Sequence, residues 1–169
     1  MPNLRDLDRK ERIRLNSLLA LDVLDTSPEV EFDALVNTAA LICDVPISLI
    51  SLVDEKRQWF KAQVGLNNVS ETPREVALCA TTIYGDGLFE VNDAALDLRF
   101  ANNPLITDEP SIRFYAGVPL KLSDGSKVGS ICVIDTQPRT LTQVQREVLV
   151  HLAKSTVHAL ESRRAAFQF

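Results

Sequence analysis

The hydrophobic pattern is most regular from Ile112 to Asp135, where it predicts two strands joined by a tight turn at Asp124–Gly125. Apolar residues occupy both alternating sets, so this hairpin is predicted to be central and covered on both sides. The two-residue period places one set of each strand on a common face: Phe114, Ala116, Val118 and Leu120 on the first, and Val128, Cys132 and Ile134 on the second.

Apolar residues recur with helical spacing near both ends of the chain. They predict a first helix from about Asp8 to Leu24, a second from Pro28 to Cys43, and a long last helix from Thr142 towards Arg163. The last helix is longer than one core needs, which predicts a second chain packed against it. A short helix is predicted from about Arg74 to Tyr84.

Three further strands are predicted over 46–54, 58–65 and 88–91. The second is amphipathic, which favours an edge or near-edge position. It is predicted to present Phe60, Ala62 and Val64 on one face and Trp59, Lys61 and Gln63 on the other. Hairpin-linked strands with helices at both ends predict an α+β domain on an antiparallel sheet. The terminal helices would cover one face, and the irregular segment 66–109 would form a cavity over the other.

The composition and net charge of the chain argue against several classes of partner. The chain has 169 residues, of which 46% are hydrophobic and 24% charged, as expected for one globular domain. Its net charge of −5 argues against a nucleic-acid or lipid-surface partner. No apolar run reaches the ~18 residues of a membrane span, and the first residues are charged, so we expect no membrane contact and a cytoplasmic location.

The three cysteines match no zinc spacing and are predicted to be reduced thiols. Cys43 and Cys132 fall in apolar periods and are predicted to lie in the core. Cys79 is either a buried small side chain or a redox-sensing or ligand-facing thiol. The sequence has no Gly-rich phosphate loop, metal-ligand cluster or nucleophile elbow, so we expect neither catalysis nor a cofactor.

An ordered series of motifs resembles the GAF domain, in the bacterial branch that precedes histidine kinases and diguanylate cyclases or stands alone. The resemblance spans about Arg12 to Arg163. It implies residues 1–11 as an extension of the first helix, 12–163 as the domain and 164–169 as a tail. It also implies a six-stranded antiparallel sheet, with terminal helices on one face, often packed across a dimer, and a small-molecule pocket on the other. The motifs are Pro46–Asp54, Arg57–Lys61, Glu71–Arg74, Cys79, Asp93–Ala94, Arg99–Pro104, Ile112–Gly117 and Gly129–Asp135.

Three departures from this family's patterns bear on the ligand. Cys79-Ala-Thr-Thr82 stands where the branch usually has Cys-Ala-His-Ala, which removes an imidazole that could hold a metal or tetrapyrrole. The Cys-His pair for covalent bilin attachment is absent, which argues against a photoreceptor. The cyclic-nucleotide signature is also missing, although Asp108–Glu109 is present.

We expect ten residues to contact a ligand. Trp59 and Tyr115 are candidate pocket aromatics, with a plain core role as the alternative. Arg99 and Arg113 could clamp an anion or pair with a nearby carboxylate. The full candidate set is Trp59, Lys61, Arg74, Cys79, Thr82, Asp93, Arg99, Phe100, Arg113 and Tyr115.

These features predict a non-catalytic sensory domain that binds an unidentified small molecule. The ligand would order segment 66–109 and change the packing of the terminal helices in a homodimer. A kinase or cyclase output domain would follow in the same chain or act in trans. Two alternatives stay open: a redox enzyme related to free methionine sulfoxide reductase, and a dimerisation module without a ligand.

Overall fold

A computed structural model describes residues 4–67, 69–108 and 111–166. Short 3-10 turns at Arg74–Val76 and Ala94–Leu96 interrupt its loops. The helices and strands are α1 Leu4–Leu19, α2 Val30–Cys43, β1 Ile47–Val53, β2 Arg57–Val64, β3 Glu71–Pro73, α3 Leu78–Thr82, β4 Phe89–Val91, α4 Pro104–Thr107, β5 Phe114–Lys121, β6 Lys127–Asp135 and α5 Gln143–Ala166.

The six strands form one antiparallel sheet in the order β3-β2-β1-β6-β5-β4. The predicted α+β class and the six-stranded sheet implied by the family resemblance are confirmed. The central position of the β5–β6 hairpin and the near-edge position of β2 are also confirmed. The residue pattern alone missed β3, which is three residues long, includes Pro73 and pairs only with β2. Such a strand is too short to show alternation and can take a proline because it lies at the edge.

Two hydrophobic cores lie on opposite faces of the sheet. On the helix face, α1, α2 and α5 pack against the strands through side chains such as Leu18, Phe32 and Leu149. On the cavity face, α3, α4 and their loops contribute Leu78 and Ile106. The predicted arrangement of terminal helices on one side and the 66–109 insertion on the other is confirmed for the described residues.

Two register shifts change the predicted orientation of side chains. Ile50 pairs with Ala62 but Ser51 pairs with Phe60, so Lys61 is an extra residue in β2. Ala62 therefore joins Trp59 in the helix-face core, whereas Phe60 lies in the cavity-face core. The prediction that Phe60 and Ala62 share a face is wrong, because an inserted residue reverses the alternation.

The second shift separates residues of β6. Pro119 pairs with Ser130 and Lys121 with Lys127, so β6 has one residue more than β5 across this step. Val128 consequently packs on the helix face, while Cys132 and Ile134 pack on the cavity face, against the prediction. Of these residues, Ile134 lines the cavity described below.

Helix ends also differ from the predictions. α1 ends at Leu19 rather than Leu24 because the chain turns through Asp22 and Asp25, which have positive φ of 52° and 62°. The predicted helix over 74–84 is a 3-10 turn followed by the short helix α3.

Candidate ligand cavity

A cavity of about 190 Å³ lies between the sheet and the segment that covers its cavity face. Strands β1, β2, β5 and β6 form its floor, and α3, α4 and the loop around Leu66 form its walls. No residue that lines it carries a charge. The lining residues are Ile47, Leu49, Gln58, Phe60, Leu66, Val69, Thr72, Leu78, Cys79, Leu105, Ile112, Tyr115 and Ile134.

Gln58 brings a polar group into this apolar cavity from β2. Its side-chain Nε2 donates to Thr72 Oγ1 at 3.2 Å, and the residue is only 5% exposed. Its Oε1 is buried and has no hydrogen-bond partner among the described residues. A buried amide oxygen without a donor costs about 1–3 kcal/mol, so this atom is an unfavourable feature of the cavity face.

Tyr115 of β5 brings a second polar group to the cavity, and its hydroxyl joins α3 to the sheet. Tyr115 Oη lies 3.1 Å from Cys79 Sγ and 2.8 Å from Thr82 Oγ1. Cys79 Sγ is also 3.9 Å from Cys132 Sγ. Gly117 lets the tyrosine ring lie over its own strand, since a Cβ there would come within 2.4 Å of Tyr115 Oη. All these groups are buried.

The surroundings shift the pKa values of Cys79, Tyr115 and Cys132 in different directions. Burial opposes ionisation of Cys79, but hydrogen bonds from Cys132, Ser130 and other neighbours outweigh it and hold the pKa of this thiol below its ordinary value. Burial and the neighbouring Cys79 raise the pKa of Tyr115 and of Cys132. Cys79 is therefore the thiol of the pair that ionises first.

Of the ten predicted site residues, Cys79 and Tyr115 line the cavity, and Thr82 forms a hydrogen bond with Tyr115 beside it. Phe100 is buried in the same core, where it packs on Phe89 at a ring distance of 6.1 Å. Phe89 in turn packs on Tyr115, so Phe100 supports the cavity wall from behind.

Trp59 and Lys61 lie on the opposite side of the sheet, in or against the helix-face core. The Lys61 side chain is fully buried; its Nζ donates to Thr26 Oγ1 at 2.8 Å and to the Ser27 carbonyl at 2.7 Å. It also forms an ion pair with Glu29, which Arg163 of α5 contacts at 2.7 Å. Lys61 therefore joins the sheet to the helices.

The other four predicted residues hold structural contacts. Arg74 donates to Glu11 of α1 at 2.6 Å. Asp93 accepts from the Ala95 N–H at the start of a 3-10 turn. The remaining two arginines are separate from the cavity: Arg99 pairs with Asp97 at 2.7 Å, and Arg113 donates to the Ile106 and Ile112 carbonyls. Neither arginine lines the cavity, so the geometry does not form the expected anion clamp.

Sequence reasoning missed two polar residues of this site, Gln58 and Cys132. Gln58 is the first residue of the predicted strand, in the same alternating set as Phe60, and its neighbour Thr72 lies in the strand that shows no alternation. Cys132 reads as a core residue, which it is, but its contact with Cys79 depends on how α3 packs on the sheet. The only available signal was the smaller size and polarity of these residues among large apolar ones.

The fold is that of a small α+β domain, with a six-stranded antiparallel sheet that is covered on both faces. The sequence profile of the GAF domain family matches residues 27–160, and the chain belongs to that family. A protein of Pseudomonas aeruginosa named cyclic di-GMP phosphodiesterase is 42% identical over 146 residues, or 84% of this chain. The chain spans about a quarter of that relative, 25% of its length.

Solved structures agree on the fold. A GAF domain of an Acinetobacter phosphoenolpyruvate-protein phosphotransferase superposes with a TM-score of 0.67 at 22% identity, covering 98% of this chain and 97% of that one. Free methionine-R-sulfoxide reductase of Neisseria meningitidis superposes with a TM-score of 0.62 at 20% identity, covering 90% of this chain and 89% of that one. A domain of a Sinorhizobium meliloti sensor histidine kinase protein superposes with a TM-score of 0.65 at 16% identity, covering 84% of this chain and 98% of that one.

The described residues lack both a membrane-spanning helix and a cluster of metal ligands. No helix among them is both long and apolar enough to cross a membrane. No cluster of three or more His, Cys, Asp or Glu side chains in that part of the chain could hold a metal ion.

Proposed function

We propose that this chain is a regulatory sensory domain that binds a small, neutral, largely apolar molecule in the cavity. The observation that carries the proposal is Gln58, a polar residue that lines the apolar cavity and whose buried Oε1 lacks a donor among the described residues. Apolar walls supply the affinity and this one acceptor orients the ligand. The ligand would therefore carry one hydrogen-bond donor.

The cavity volume limits the size of this ligand. An engineered apolar cavity of about 150 Å³ binds benzene. The cavity here, at about 190 Å³, suits a molecule of one or two rings. Because no charged residue lines it, nucleotides and zwitterions would lose their hydration without compensation. We expect free methionine sulfoxide neither to bind nor to be turned over, in keeping with a regulatory role.

Paired probes test this ligand chemistry. Indole and benzothiophene have nearly the same shape, but only indole carries an N–H donor. We expect indole to bind about tenfold more tightly, the equivalent of one hydrogen bond. Gln58→Leu should remove that preference, whereas Gln143→Leu on the exposed surface of α5 should retain it.

Calorimetry would measure both affinities, and native mass spectrometry would detect any molecule retained through purification. Binding of neither probe, together with no retained molecule, would remove the ligand proposal and favour a dimerisation module. Equal affinity for both probes would leave the cavity as a binding site but contradict the role of Gln58.

A ligand signal would leave through the terminal helices of a homodimer. On α1, Ile13 exposes about half of its area, at 49%. We propose that a second copy covers this side chain. Light scattering should give twice the chain mass, and Ile13→Glu should shift it to one chain mass; a monomer at every concentration would contradict this interface.

The named relative supports a proposal for the output partner. We propose that the module controls an enzyme of cyclic di-GMP turnover, in the same chain or in trans, from a cytoplasmic location. Cyclic di-GMP hydrolysis by such a partner, measured with and without this chain and with indole, would test it. A hydrolysis rate that is unchanged in all conditions would contradict this proposal and favour a kinase or cyclase as the output partner.

A further inference from the structure

Two of the three cysteines meet inside the protein although they are 53 positions apart. Cys79 comes from α3 and Cys132 from the middle of β6, and their Sγ atoms are 3.9 Å apart. Neither is joined in a disulfide in the structure, and their exposures are 2% and 0%. A disulfide requires about 2.05 Å between the sulfurs, so the pair must close by about 2 Å.

The two thiols differ in access. Cys79 lines the cavity, whereas Cys132 lies beneath it in the sheet. A small reagent that enters the cavity therefore meets Cys79 first. Tyr115 Oη lies 3.1 Å from that sulfur. Its hydroxyl can stabilise a thiolate there and can donate a proton to an oxygen that leaves from an attacking reagent.

We propose that Cys79 and Cys132 form a reversible dithiol–disulfide site, in which a small hydroperoxide oxidises Cys79 and Cys132 then closes the disulfide. This proposal does not depend on the proposed ligand, because it needs only the two thiols and access to Cys79 through the cavity. The lowered pKa of Cys79 and the raised pKa of Cys132 agree with this order of events.

The two steps balance. The Cys79 thiolate attacks one peroxide oxygen, the O–O bond breaks, and the second oxygen leaves as water (or an alcohol) after taking a proton, which gives a sulfenic acid. Cys132 sulfur then attacks Cys79 sulfur, the S–O bond breaks, and the departing oxygen takes the Cys132 proton as water. Two thiols and one peroxide thus yield one disulfide.

Closure would connect α3 covalently to the centre of the sheet. α3 supplies Leu78 and Cys79 to the cavity wall. The disulfide would also remove the thiolate that Tyr115 contacts, which leaves Thr82 Oγ1 at 2.8 Å as its near partner. Oxidation would therefore reshape the cavity itself.

The test uses the purified full chain with an excess of hydrogen peroxide. Thiols are counted by maleimide labelling in denaturant, and peptide mapping identifies any disulfide. We expect two of the three thiols to be lost, a peptide joining Cys79 to Cys132, and full recovery with dithiothreitol. Cys43→Ser is the matched control and should form the same disulfide, because Cys43 lies on the helix face.

Two further variants separate the roles of the sulfurs. Cys132→Ser should accumulate a sulfenic acid at Cys79 that dimedone traps, and Cys79→Ser should leave Cys132 reduced at the same peroxide dose. Circular dichroism would check that both fold; if either does not, the Cys43→Ser result decides. Retention of all three thiols, a disulfide between chains, or oxidation of Cys43 as fast as Cys79 would overturn the proposal.

Discussion

Lys61 and Gln58 lie on the same strand, β2, and both are buried, yet their side chains meet opposite conditions. On the helix face, Lys61 contacts a hydroxyl, a carbonyl and a carboxylate. On the cavity face, Gln58 leaves its Oε1 without a partner among the described residues. On the helix face the buried Lys61 joins the sheet to the helices. On the cavity face the Oε1 of Gln58 joins nothing among the described residues. This difference is the reason why we propose a ligand on the cavity face.

The sheet between these faces should tolerate change least. A Cβ at Gly129 would lie 1.8 Å from the Ser51 carbonyl oxygen and 2.9 Å from Leu52 Cα, both backbone atoms. We expect Gly129→Ala to cost more than about 3 kcal/mol of unfolding free energy, because β1 and β6 must separate. Urea titration followed by circular dichroism would measure this.

Gly87→Ala is the control for this variant, since its Cβ would meet nothing within 4 Å. We expect it to change stability by less than about 0.5 kcal/mol. A small cost at Gly129 would mean that the strands slide easily, and the register that separates the two faces would be in doubt.

Lys61→Met tests the helix face. It removes the charge from a fully buried side chain and leaves Glu29 with Arg163 as a remaining cationic neighbour. Because one partner remains, we expect a loss of about 2 kcal/mol, below the usual cost of orphaning a buried charge. Lys56→Met, on an exposed turn, should be nearly neutral.

The same Lys61 variant sharpens the comparison between faces. If they act independently, indole binding and the peroxide response of Cys79 should stay unchanged within error. A change in either would show that the helix-face contacts position the cavity.

Glu11 joins the helices to the segment beside the cavity. It accepts from Arg14 at 2.8 Å and from Arg74 at 2.6 Å. The hydrogen bond from Arg14, with further help from Arg74, lowers its pKa from 4.5 to about 2. A carboxyl whose pKa falls on folding stabilises above its unfolded pKa, and that stabilisation is lost as the pH drops from about 4.5 to about 2.

Glu11→Gln should therefore cost about 1 kcal/mol at pH 7, a value reduced because the carboxylate is partly solvated. The difference between wild type and variant should shrink steadily below pH 4.5 and vanish near pH 2. Thermal melts across this range would measure it. A difference that does not depend on pH would assign the loss to packing rather than charge.

Sequence periodicity predicted the sheet, the helices at each end and the face that would carry a cavity. It missed β3, because three residues around Pro73 show no alternation. It also misplaced Ala62 and Val128, because one inserted residue reverses every side chain beyond it and no sequence signal marks the insertion. The Cys79–Cys132 contact required the packing of α3, which no local pattern encodes.

Gln58→Leu should have the smallest effect on stability, and of the opposite sign to Lys61→Met. It removes the unpartnered Oε1 and fills apolar space, but it also takes the donor from Thr72 Oγ1. We expect these terms to leave a gain of about 0.5 kcal/mol in the ligand-free protein, measured by urea titration. A loss of about 2 kcal/mol would mean that the Oε1 is satisfied in solution, for example by an ordered water, and the two faces would then treat their buried polar groups alike.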